Sequence, residues 1–239
     1  MIKVQGLQKS FDGHVVLNDI SFEIAKGEVV ALIGGSGGGK SVLLKHLAGL
    51  MQPDRGRVII DGVELGKIKG AELRRLRDRL GFLFQGGALF DSMTVYENVA
   101  FPLREKTKMK EKEIRAKVMK ELELVGLKGA EAKYPSQISG GMVKRAALAR
   151  SLVLDPEIML FDEPTTGLDP VIGKSILELI DSCHKRISFT GIIVTHEIPR
   201  IFPFVDRVLM IYEGKLRVNA APDEMMRSED PVVKAFLGK

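Results

Sequence analysis

The sequence predicts an α/β fold with a mixed, mostly parallel sheet and an inserted helical subdomain. Apolar strand-like runs alternate with amphipathic helical segments along most of the chain, a pattern typical of a layered core with a largely parallel sheet. Between about 94 and 155 the pattern changes to mostly helical. We therefore expect a core formed by about 1–93 and 156–239, and a helical subdomain at about 94–155.

The composition fits one large domain or one domain with an inserted lobe. The 239 residues are 45% hydrophobic and 28% charged, which is enough for a substantial core. The net charge of +5 favours anionic partners, such as nucleotides, nucleic acid or an acidic membrane surface. The longest aliphatic run, 29–33, is far shorter than the roughly 20 residues of a membrane-spanning helix. The N-terminus lacks an apolar signal core, so we expect no secretion.

The local pattern places the individual elements. The predicted elements before the insertion are strands at 2–7, 15–24, 28–33 and 57–61, helices at 41–50 and 71–80, and a strand at 80–84. Within the insertion, Pro135 ends a helical stretch and a helix resumes after Gly140 and Gly141. The elements predicted after it are a strand at 157–162, a helix at 170–186, a strand at 189–195, a short helix after His196, a hairpin and two small helices. The single cysteine, Cys183, excludes an internal disulfide, and its helical stripe predicts a core position.

A glycine-rich loop between a strand and a helix is predicted to bind phosphate. It matches the pattern G-x-x-x-x-G-K-[ST] with Gly34, Gly35, Ser36, Gly37, Gly38, Gly39, Lys40 and Ser41. Main-chain N–H groups can surround a polyphosphate where no Cβ blocks the approach, and the following helix adds a positive dipole. Lys40 would contact the β- and γ-phosphates, and the Ser41 hydroxyl would bind Mg²⁺. The alternative is a flexible linker, but linkers do not lie between a buried strand and an amphipathic helix.

Two acidic residues follow a second apolar strand. The run 158–161 leads directly into Asp162 and Glu163, and parallel sheets place ligands at this end of their strands. Asp162 would hold Mg²⁺, directly or through water, and Glu163 would orient and polarise an attacking water. Two surface acids are the alternative, which is weaker because the same chain carries a phosphate-binding loop.

A second anion-binding arrangement starts another helix. Ser139, Gly140 and Gly141 precede the helical run VKRAALARSL, and a helix N-terminus of this composition favours an anionic ligand. A single phosphate-binding loop needs no second phosphate cap within its own chain. We infer that this segment serves a nucleotide held by another copy.

The chain carries an ordered set of motifs: GGSGGGKS, Gln85 after a strand, ISGGM, LFDEP, TTGLD, and His196 after another strand. Through these motifs the chain resembles the ATPase subunit of ABC transporters over nearly its whole length. The resemblance implies a P-loop NTPase of the ABC ATPase type, with a RecA-like core. It also implies an Mg²⁺-dependent ATPase that uses ATP and Mg²⁺. Two copies would pair head to tail, so that each ATP lies between one P-loop and the partner's signature residues.

The resemblance also assigns roles to individual residues. Gln85 is similar to the hinge glutamine that senses Mg²⁺ and water, His196 to the switch histidine that contacts the γ-phosphate, and Asp169 to the loop that joins two active sites. Phe11 falls where the family stacks an aromatic ring on adenine, although tyrosine is commoner there. The implied catalytic residues are Glu163, His196, Gln85 and Lys40. The implied Mg²⁺ ligands are Ser41, Gln85 and Asp162. The implied ATP-binding residues are Phe11, Gly34, Gly35, Ser36, Gly37, Gly38, Gly39, Lys40, Ser41, Val42, Ser139, Gly140, Gly141 and Asp169.

Three departures from the commonest family pattern point to a subgroup. The departures are Val42 after the P-loop serine, the segment GALFDS at 87–92, and Met142 in the signature. In these positions the chain resembles the ATPases of Mce-type (Mla-like) lipid-transport systems. Those systems move phospholipids or related apolar molecules between bacterial membranes. The resemblance implies a peripheral homodimer on the cytoplasmic side of the inner membrane. It would contact integral permease subunits through about 86–104, with further lipid-binding and regulatory subunits.

Two alternatives remain open. The first is the ATPase of a polar-solute importer for amino acids or metabolites, because ALF..MTVYENVAFPL occurs broadly among importers. The more distant one is a soluble ABC-type ATPase that acts on nucleic acid or the ribosome. Such proteins usually carry two cassettes or a long coiled coil between P-loop and signature, and this chain has one cassette with a short interval from Ser41 to Ser139. We therefore expect no nucleic-acid partner.

Overall fold

The computed structural model describes residues 1–238, which form two compact units. The first unit contains residues 1–77 and the C-terminal segment that begins at Phe189. The second unit contains residues 78–188. The limits of the helical subdomain at about 94 and 155 stay a prediction.

Residues 1–238 contain ten strands and eight α-helices, in positions that confirm the α/β fold. The strands are β1 (Ile2–Phe11), β2 (His14–Ile24), β3 (Val29–Gly34), β4 (Arg55–Ile60), β5 (Val63–Glu64), β6 (Leu80–Leu83), β7 (Ile158–Asp162), β8 (Thr190–Val194), β9 (Arg207–Tyr212) and β10 (Lys215–Ala220). The helices are α1 (Lys40–Leu47), α2 (Gly70–Arg77), α3 (Val95–Lys106), α4 (Glu111–Leu124), α5 (Gly140–Leu152), α6 (Pro170–Ile187), α7 (Pro222–Met226) and α8 (Pro231–Phe236).

Four strands of the first unit form a separate antiparallel sheet, which the sequence did not predict. Their order is β2-β1-β4-β5, and all neighbouring pairs are antiparallel. Asp12-Gly13 joins β1 to β2 and Asp61-Gly62 joins β4 to β5, and all four residues have positive φ. Two-residue turns of this kind connect antiparallel strands only. These two turns therefore dictate the local sheet.

The other sheet strands of the first unit carry the glycine-rich loop. Their order is β10-β9-β3-β8, and β3 pairs in parallel with both β8 and β9. Every residue of β3 is buried, as expected for a parallel strand covered on both faces. The C-terminal ends of β3 and β8 therefore meet at one edge of this sheet.

The second unit combines a parallel strand pair with a helical core. β6 and β7 pair with Leu83 opposite Phe161. The helices enclose a buried apolar cluster that includes Val95, Val99, Leu103, Ile114, Val118, Leu122, Ala146, Ala149 and Val153. The buried carboxylate of Glu121 in α4 accepts two hydrogen bonds from Arg186 of α6, at 2.7 and 2.9 Å, which supplies the partner that a buried charge requires.

The short helix predicted after His196 is present only as a 3₁₀ helix and starts later than predicted. Turns occupy 198–201, and a 3₁₀ helix follows at Phe202–Phe204. Pro199 and Pro203 explain the difference, because each lacks the main-chain N–H that a continuing α-helix needs. Cys183 is buried in α6, as predicted, and burial raises the pKa of its thiol. No helix in residues 1–238 is both long and apolar enough to cross a lipid bilayer.

Candidate active site

The glycine-rich loop of the first unit has a conformation that requires glycine. Gly34 and Gly39 have φ values of 151° and 87°. A Cβ at Gly34 would overlap the carbonyl oxygen of Ile211, and one at Gly39 would lie 2.7 Å from Cδ2 of Leu17. The close approach of the loop to β9 and β2 therefore leaves no room for a side chain at Gly34 or Gly39. The loop is a shaped element and not a flexible linker.

Helix α1 begins at Lys40, directly after the glycines of the loop. Within the described residues, Gly39 provides no side-chain cap, and the first turn of α1 carries no acidic residue. The first N–H groups of a helix need acceptors from outside the helix, and they bind anions well. The donor set and the glycine cradle fit a polyphosphate.

Lys40 lies inside the loop that it is predicted to serve. Its side chain is buried, and Nζ donates hydrogen bonds to the carbonyl oxygens of Gly34 at 3.0 Å and Gly35 at 2.9 Å. Ser41 follows at the exposed surface of α1, with Val42 half-buried beside it. Because a buried ammonium must be paired, these carbonyls hold the cation at the loop.

His196 lies at the same sheet edge of the first unit. The Thr195 N–H donates to the Leu32 carbonyl at 3.2 Å, which continues the β8–β3 ladder to the residue before His196. The His196 side chain is exposed. The parallel register therefore brings the histidine and the start of the P-loop to one edge. Phe11 belongs to the same unit and is 41% exposed, with Lys9 Nζ 5.4 Å from its ring centroid.

Gln85 and Glu163 meet in the second unit. The Gln85 Nε2 donates to Oε2 of Glu163 at 2.9 Å, and the Thr166 hydroxyl donates to the same oxygen at 2.8 Å. Glu163 has a φ of 49°, a left-handed conformation that is uncommon for a residue with a side chain. The two hydrogen bonds fix the orientation of this carboxylate directly after Asp162.

Lys144 joins this cluster, and the sequence-based prediction missed it. Its buried ammonium donates to the main-chain carbonyl of Gln85. Burial lowers the pKa of Lys144, while the nearby carboxylates of Glu163 and Asp162 raise it. A signal was available in the sequence, because Lys144 shares a helical stripe with the apolar Leu148 and thus falls on the buried face of α5.

The signature residues occupy the start of α5. Ser139 is the N-cap, and its Oγ accepts the Met142 N–H at 3.4 Å. Ser139 and Gly140 are exposed, whereas Gly141 is buried. A Cβ at Gly141 would lie 2.8 Å from Cγ2 of Ile172. The second glycine is therefore required for packing of α5 on α6, in addition to any role towards a ligand.

Asp169 caps helix α6. Its Oδ1 accepts the N–H groups of Val171 and Ile172, both at 3.0 Å. The side chain is exposed. The structure thus gives Asp169 a local capping function, while its predicted place in a loop joining two active sites stays a prediction.

An aromatic groove of about 340 Å³ lies along residues 86–104, the segment predicted to contact a membrane subunit. Phe84 and Phe90 are 42% and 44% exposed. Arg150 of α5 donates to the carbonyls of Gly87 and Ala88, both at 2.7 Å. The lining residues include Phe82, Phe84, Phe90, Phe101, Pro102 and Arg150. The groove is apolar, with a fixed cation at its margin.

The predicted Mg²⁺ ligands are not a dense carboxylate cluster. Residues 1–238 contain no group of three or more His, Cys, Asp or Glu side chains that could hold a metal ion by themselves. Mg²⁺ at nucleotide sites is usually bound by one or two protein oxygens together with phosphates and waters. The proposed set of one hydroxyl, one amide and one carboxylate fits that chemistry.

Comparison with known proteins identifies the family. A family model described as "ABC transporter" matches residues 17–166. The probable ribonucleotide transport ATP-binding protein mkl of Mycobacterium leprae is 48% identical over 236 residues, which are 99% of this chain and 68% of that protein. The intermembrane phospholipid transport system ATP-binding protein MlaF of Haemophilus influenzae is 38% identical over 237 residues, which are 99% of this chain and 90% of that protein.

A solved structure supports the same assignment. It is the dimeric structure of a post-hydrolysis state of an ATP-binding cassette bound to ADP and Pi, with a TM-score of 0.85 and 30% identity over 93% of this chain and 99% of that one. The chain therefore belongs to the ABC transporter family. Within that family it is the ATP-binding cassette, an ATPase that uses ATP and Mg²⁺.

Proposed function

We propose that this ATPase powers phospholipid transport between bacterial membranes. The observation that carries the proposal is the alignment with Haemophilus influenzae MlaF over 99% of this chain and 90% of that protein. Val42, the segment 87–92 and Met142 add support from the sequence, because they resemble the lipid-transport subgroup.

In this proposal the first unit binds the nucleotide phosphates. The N–H groups of residues 34–39 and of Val42 at the start of α1 surround them, and Lys40 contacts the β- and γ-phosphates. Phe11 stacks on adenine with its exposed face. His196, at the same sheet edge as the loop, contacts the γ-phosphate. The proposed Mg²⁺ ligands are Ser41, Gln85 and Asp162, and Mg²⁺ when bound offsets the negative charge of the phosphates.

Glu163 is the proposed base for the attacking water. Its carboxylate is oriented by Gln85 and Thr166, and a base must be held within hydrogen-bond reach of the proton that it accepts. Gln85 therefore has two proposed roles, one towards Mg²⁺ and one towards the carboxylate. Asp162, at the end of β7, would serve only as a ligand of Mg²⁺.

We propose that two copies pair head to tail. Ser139 and Gly140 are exposed at the N-terminus of α5, where an anion is favoured, and they would contact the γ-phosphate held by the other copy. Gly141 would supply a main-chain N–H. Asp169, at the N-terminus of α6, belongs to the proposed loop between the two active sites.

The permease partner is proposed to contact residues 86–104. Phe84, Phe90 and Phe101 expose an aromatic groove beside this segment, and an apolar groove rimmed by charge suits a short helix of a partner. The proposed contact implies an ATPase that is bound peripherally on the cytoplasmic side of the inner membrane. Lipid-binding and regulatory subunits complete the proposed assembly.

A second candidate function is transport of a ribonucleotide. It is favoured by the 48% identity to the Mycobacterium leprae protein, of which this chain spans about two thirds of the length. This candidate belongs to the polar-solute importers. The ATPase chemistry would be the same, and only the membrane subunits would differ.

The test isolates the tagged chain with its membrane partners and reconstitutes the complex into vesicles. ATP-driven transfer of a fluorescent phospholipid to acceptor vesicles is compared with uptake of radiolabelled uridine monophosphate, a nucleotide that is not the fuel. We expect lipid transfer that requires ATP hydrolysis and is lost in a complex carrying Glu163→Gln. Uridine monophosphate uptake without lipid transfer would overturn the proposal in favour of the second candidate.

A further inference from the structure

Helix α5 holds the segment that follows β6 by its main-chain carbonyls. Lys144 donates to the carbonyl of Gln85, and Arg150 donates to those of Gly87 and Ala88. Gly87 and Ala88 have φ values of 76° and 48°, so the segment turns back sharply and exposes these carbonyls to the helix. Two cations of α5, six residues apart, thus bind the carbonyls of one short segment.

Lys144 is the more costly of the two cations. It is only 6% exposed and lies on the stripe of α5 that otherwise carries buried residues such as Leu148 and Leu152. An apolar residue would pack there without the desolvation of an ammonium. A lysine at this position therefore needs a gain that packing does not provide.

The contacts of Lys144 lead to the proposed base in two steps. The ammonium holds the Gln85 carbonyl, and the Gln85 amide holds Oε2 of Glu163 at 2.9 Å. Burial lowers the pKa of Lys144, and the nearby carboxylates of Glu163 and Asp162 only partly offset this effect. A single hydrogen-bonded series joins α5 to the carboxylate.

We propose that Lys144 is a positioning residue for ATP hydrolysis, which holds the Gln85 main chain so that the Gln85 amide keeps the Glu163 carboxylate oriented. The proposal rests on the proposed roles of Glu163 and Gln85. Lys144 lies five residues after Ser139, about 7.5 Å along the helix at the usual rise. Ser139 at the start of α5 and Lys144 thus belong to the same helix.

Three substitutions separate packing, hydrogen bonding and charge. Lys144→Met keeps length but removes donor and charge, Lys144→Gln keeps a neutral donor, and Lys144→Arg keeps both. We expect kcat of the Met variant to fall about 10- to 100-fold, the range of one lost hydrogen bond to a charged group, with KM for ATP within about twofold. The Arg variant keeps most of the activity and the Gln variant is intermediate.

Arg145→Met is the matched control on the same helix. Arg145 donates to the Val125 carbonyl at 3.0 Å and to Ser175 at 3.1 Å, so its loss also removes a cation from a main-chain carbonyl, but in the helical core. We expect lower thermal stability with kcat within about twofold of the unsubstituted chain. An equal fall of kcat in Arg145→Met and Lys144→Met would overturn the proposal, since it would reflect helix integrity alone.

A double-mutant cycle tests whether Lys144 acts through Gln85. Gln85→Ala removes the amide that Lys144 is proposed to position, so adding Lys144→Met should lower kcat by less than about threefold further. Multiplicative effects would mean independent action and refute the proposal. If Lys144→Met fails to fold, the comparison of Lys144→Gln with Lys144→Arg carries the same test, and equal kcat in both would count against a charged positioning residue.

Glu163→Gln distinguishes this proposal from the proposed function. If Glu163→Gln is inactive and Lys144→Met has unaltered kcat, only the role of Lys144 fails. If Glu163→Gln hydrolyses ATP as fast as the unsubstituted chain, the proposed base is wrong, and the role of Lys144 is overturned with it.

Discussion

Replacing Glu163 with glutamine is the most direct perturbation of the proposed chemistry. The Oε2 of Glu163 accepts from Gln85 at 2.9 Å and from Thr166 at 2.8 Å. The amide oxygen of a glutamine can accept both hydrogen bonds in the same place. The substitution therefore preserves these two hydrogen bonds and removes the negative charge and the basicity, so its effect on hydrolysis reports on chemistry.

The expected magnitude follows from the role. A positioned general base contributes about 10²- to 10⁴-fold, so we expect kcat for ATP hydrolysis to fall by about that factor. We expect ATP binding to be preserved, because the substitution does not alter the phosphate-binding loop or Lys40, which donates to the carbonyls of Gly34 and Gly35. With ATP bound and not hydrolysed, the variant accumulates as an ATP-bound dimer.

Two measurements on the purified chain check this. Steady-state phosphate release gives kcat, and size-exclusion chromatography with and without Mg²⁺-ATP gives the fraction of dimer. Thr166→Val is the matched control, since it removes one hydrogen bond to Oε2 but not the base, and we expect only a several-fold loss of kcat. Unaltered hydrolysis in Glu163→Gln would refute the assignment of the base.

Four further substitutions test other parts of the structure. Ser139→Arg should block hydrolysis while nucleotide binding to the monomer, measured by fluorescent ATP titration, is unaltered; loss of monomer binding would contradict the two-copy site. Thr94→Ala removes the capping box of α3 and should cost about 1 kcal/mol, or about 2–4 °C in Tm by calorimetry. Arg150→Met should reduce copurification of membrane subunits, as read from the ratio of subunits in detergent. Burial lowers the pKa of His46 from 6.5, so the unfolded chain binds more protons than the folded chain near and below this pH. The free energy of unfolding should therefore fall as the pH drops below about 6.5. In denaturant titrations, His46→Gln should reduce this dependence on pH.

The phosphate-binding loop could be predicted from the sequence because its determinants are local. A strand, a run of glycines and a helix specify the loop in the local sequence, whereas the contacts that require glycine at 34 and 39 are with the distant residues Ile211 and Leu17. The antiparallel sheet could also have been predicted, since Asp12-Gly13 and Asp61-Gly62 are local turn signals. The helix predicted after His196 is only a 3₁₀ helix at Phe202–Phe204, because Pro199 and Pro203 lack the main-chain N–H groups that an α-helix needs.

Lys144 and Gly141 could not be assigned from the sequence in the same way. Lys144 can donate to the Gln85 carbonyl only because α5 packs beside the segment after β6. The need for glycine at 141 depends on the position of Ile172, which lies on another helix. Both are tertiary contacts between segments far apart in the chain; the helical stripe that Lys144 shares with Leu148 predicts that Lys144 is buried, but not which group it contacts.

Strand register is what turns these separate motifs into neighbours. Leu83 opposite Phe161 brings the residues after β6 and β7 to one edge, and there Gln85 meets Glu163. Leu32 opposite Val194 does the same for the P-loop and His196. Parallel strands align their C-terminal ends, and ligand-binding residues collect there. In the second unit α5 adds a contribution that register alone cannot supply, because its charged side chains act on the main chain of the segment that carries Gln85. The sheet thus determines where Gln85 and Glu163 lie, and α5 holds the main chain of the segment that carries Gln85.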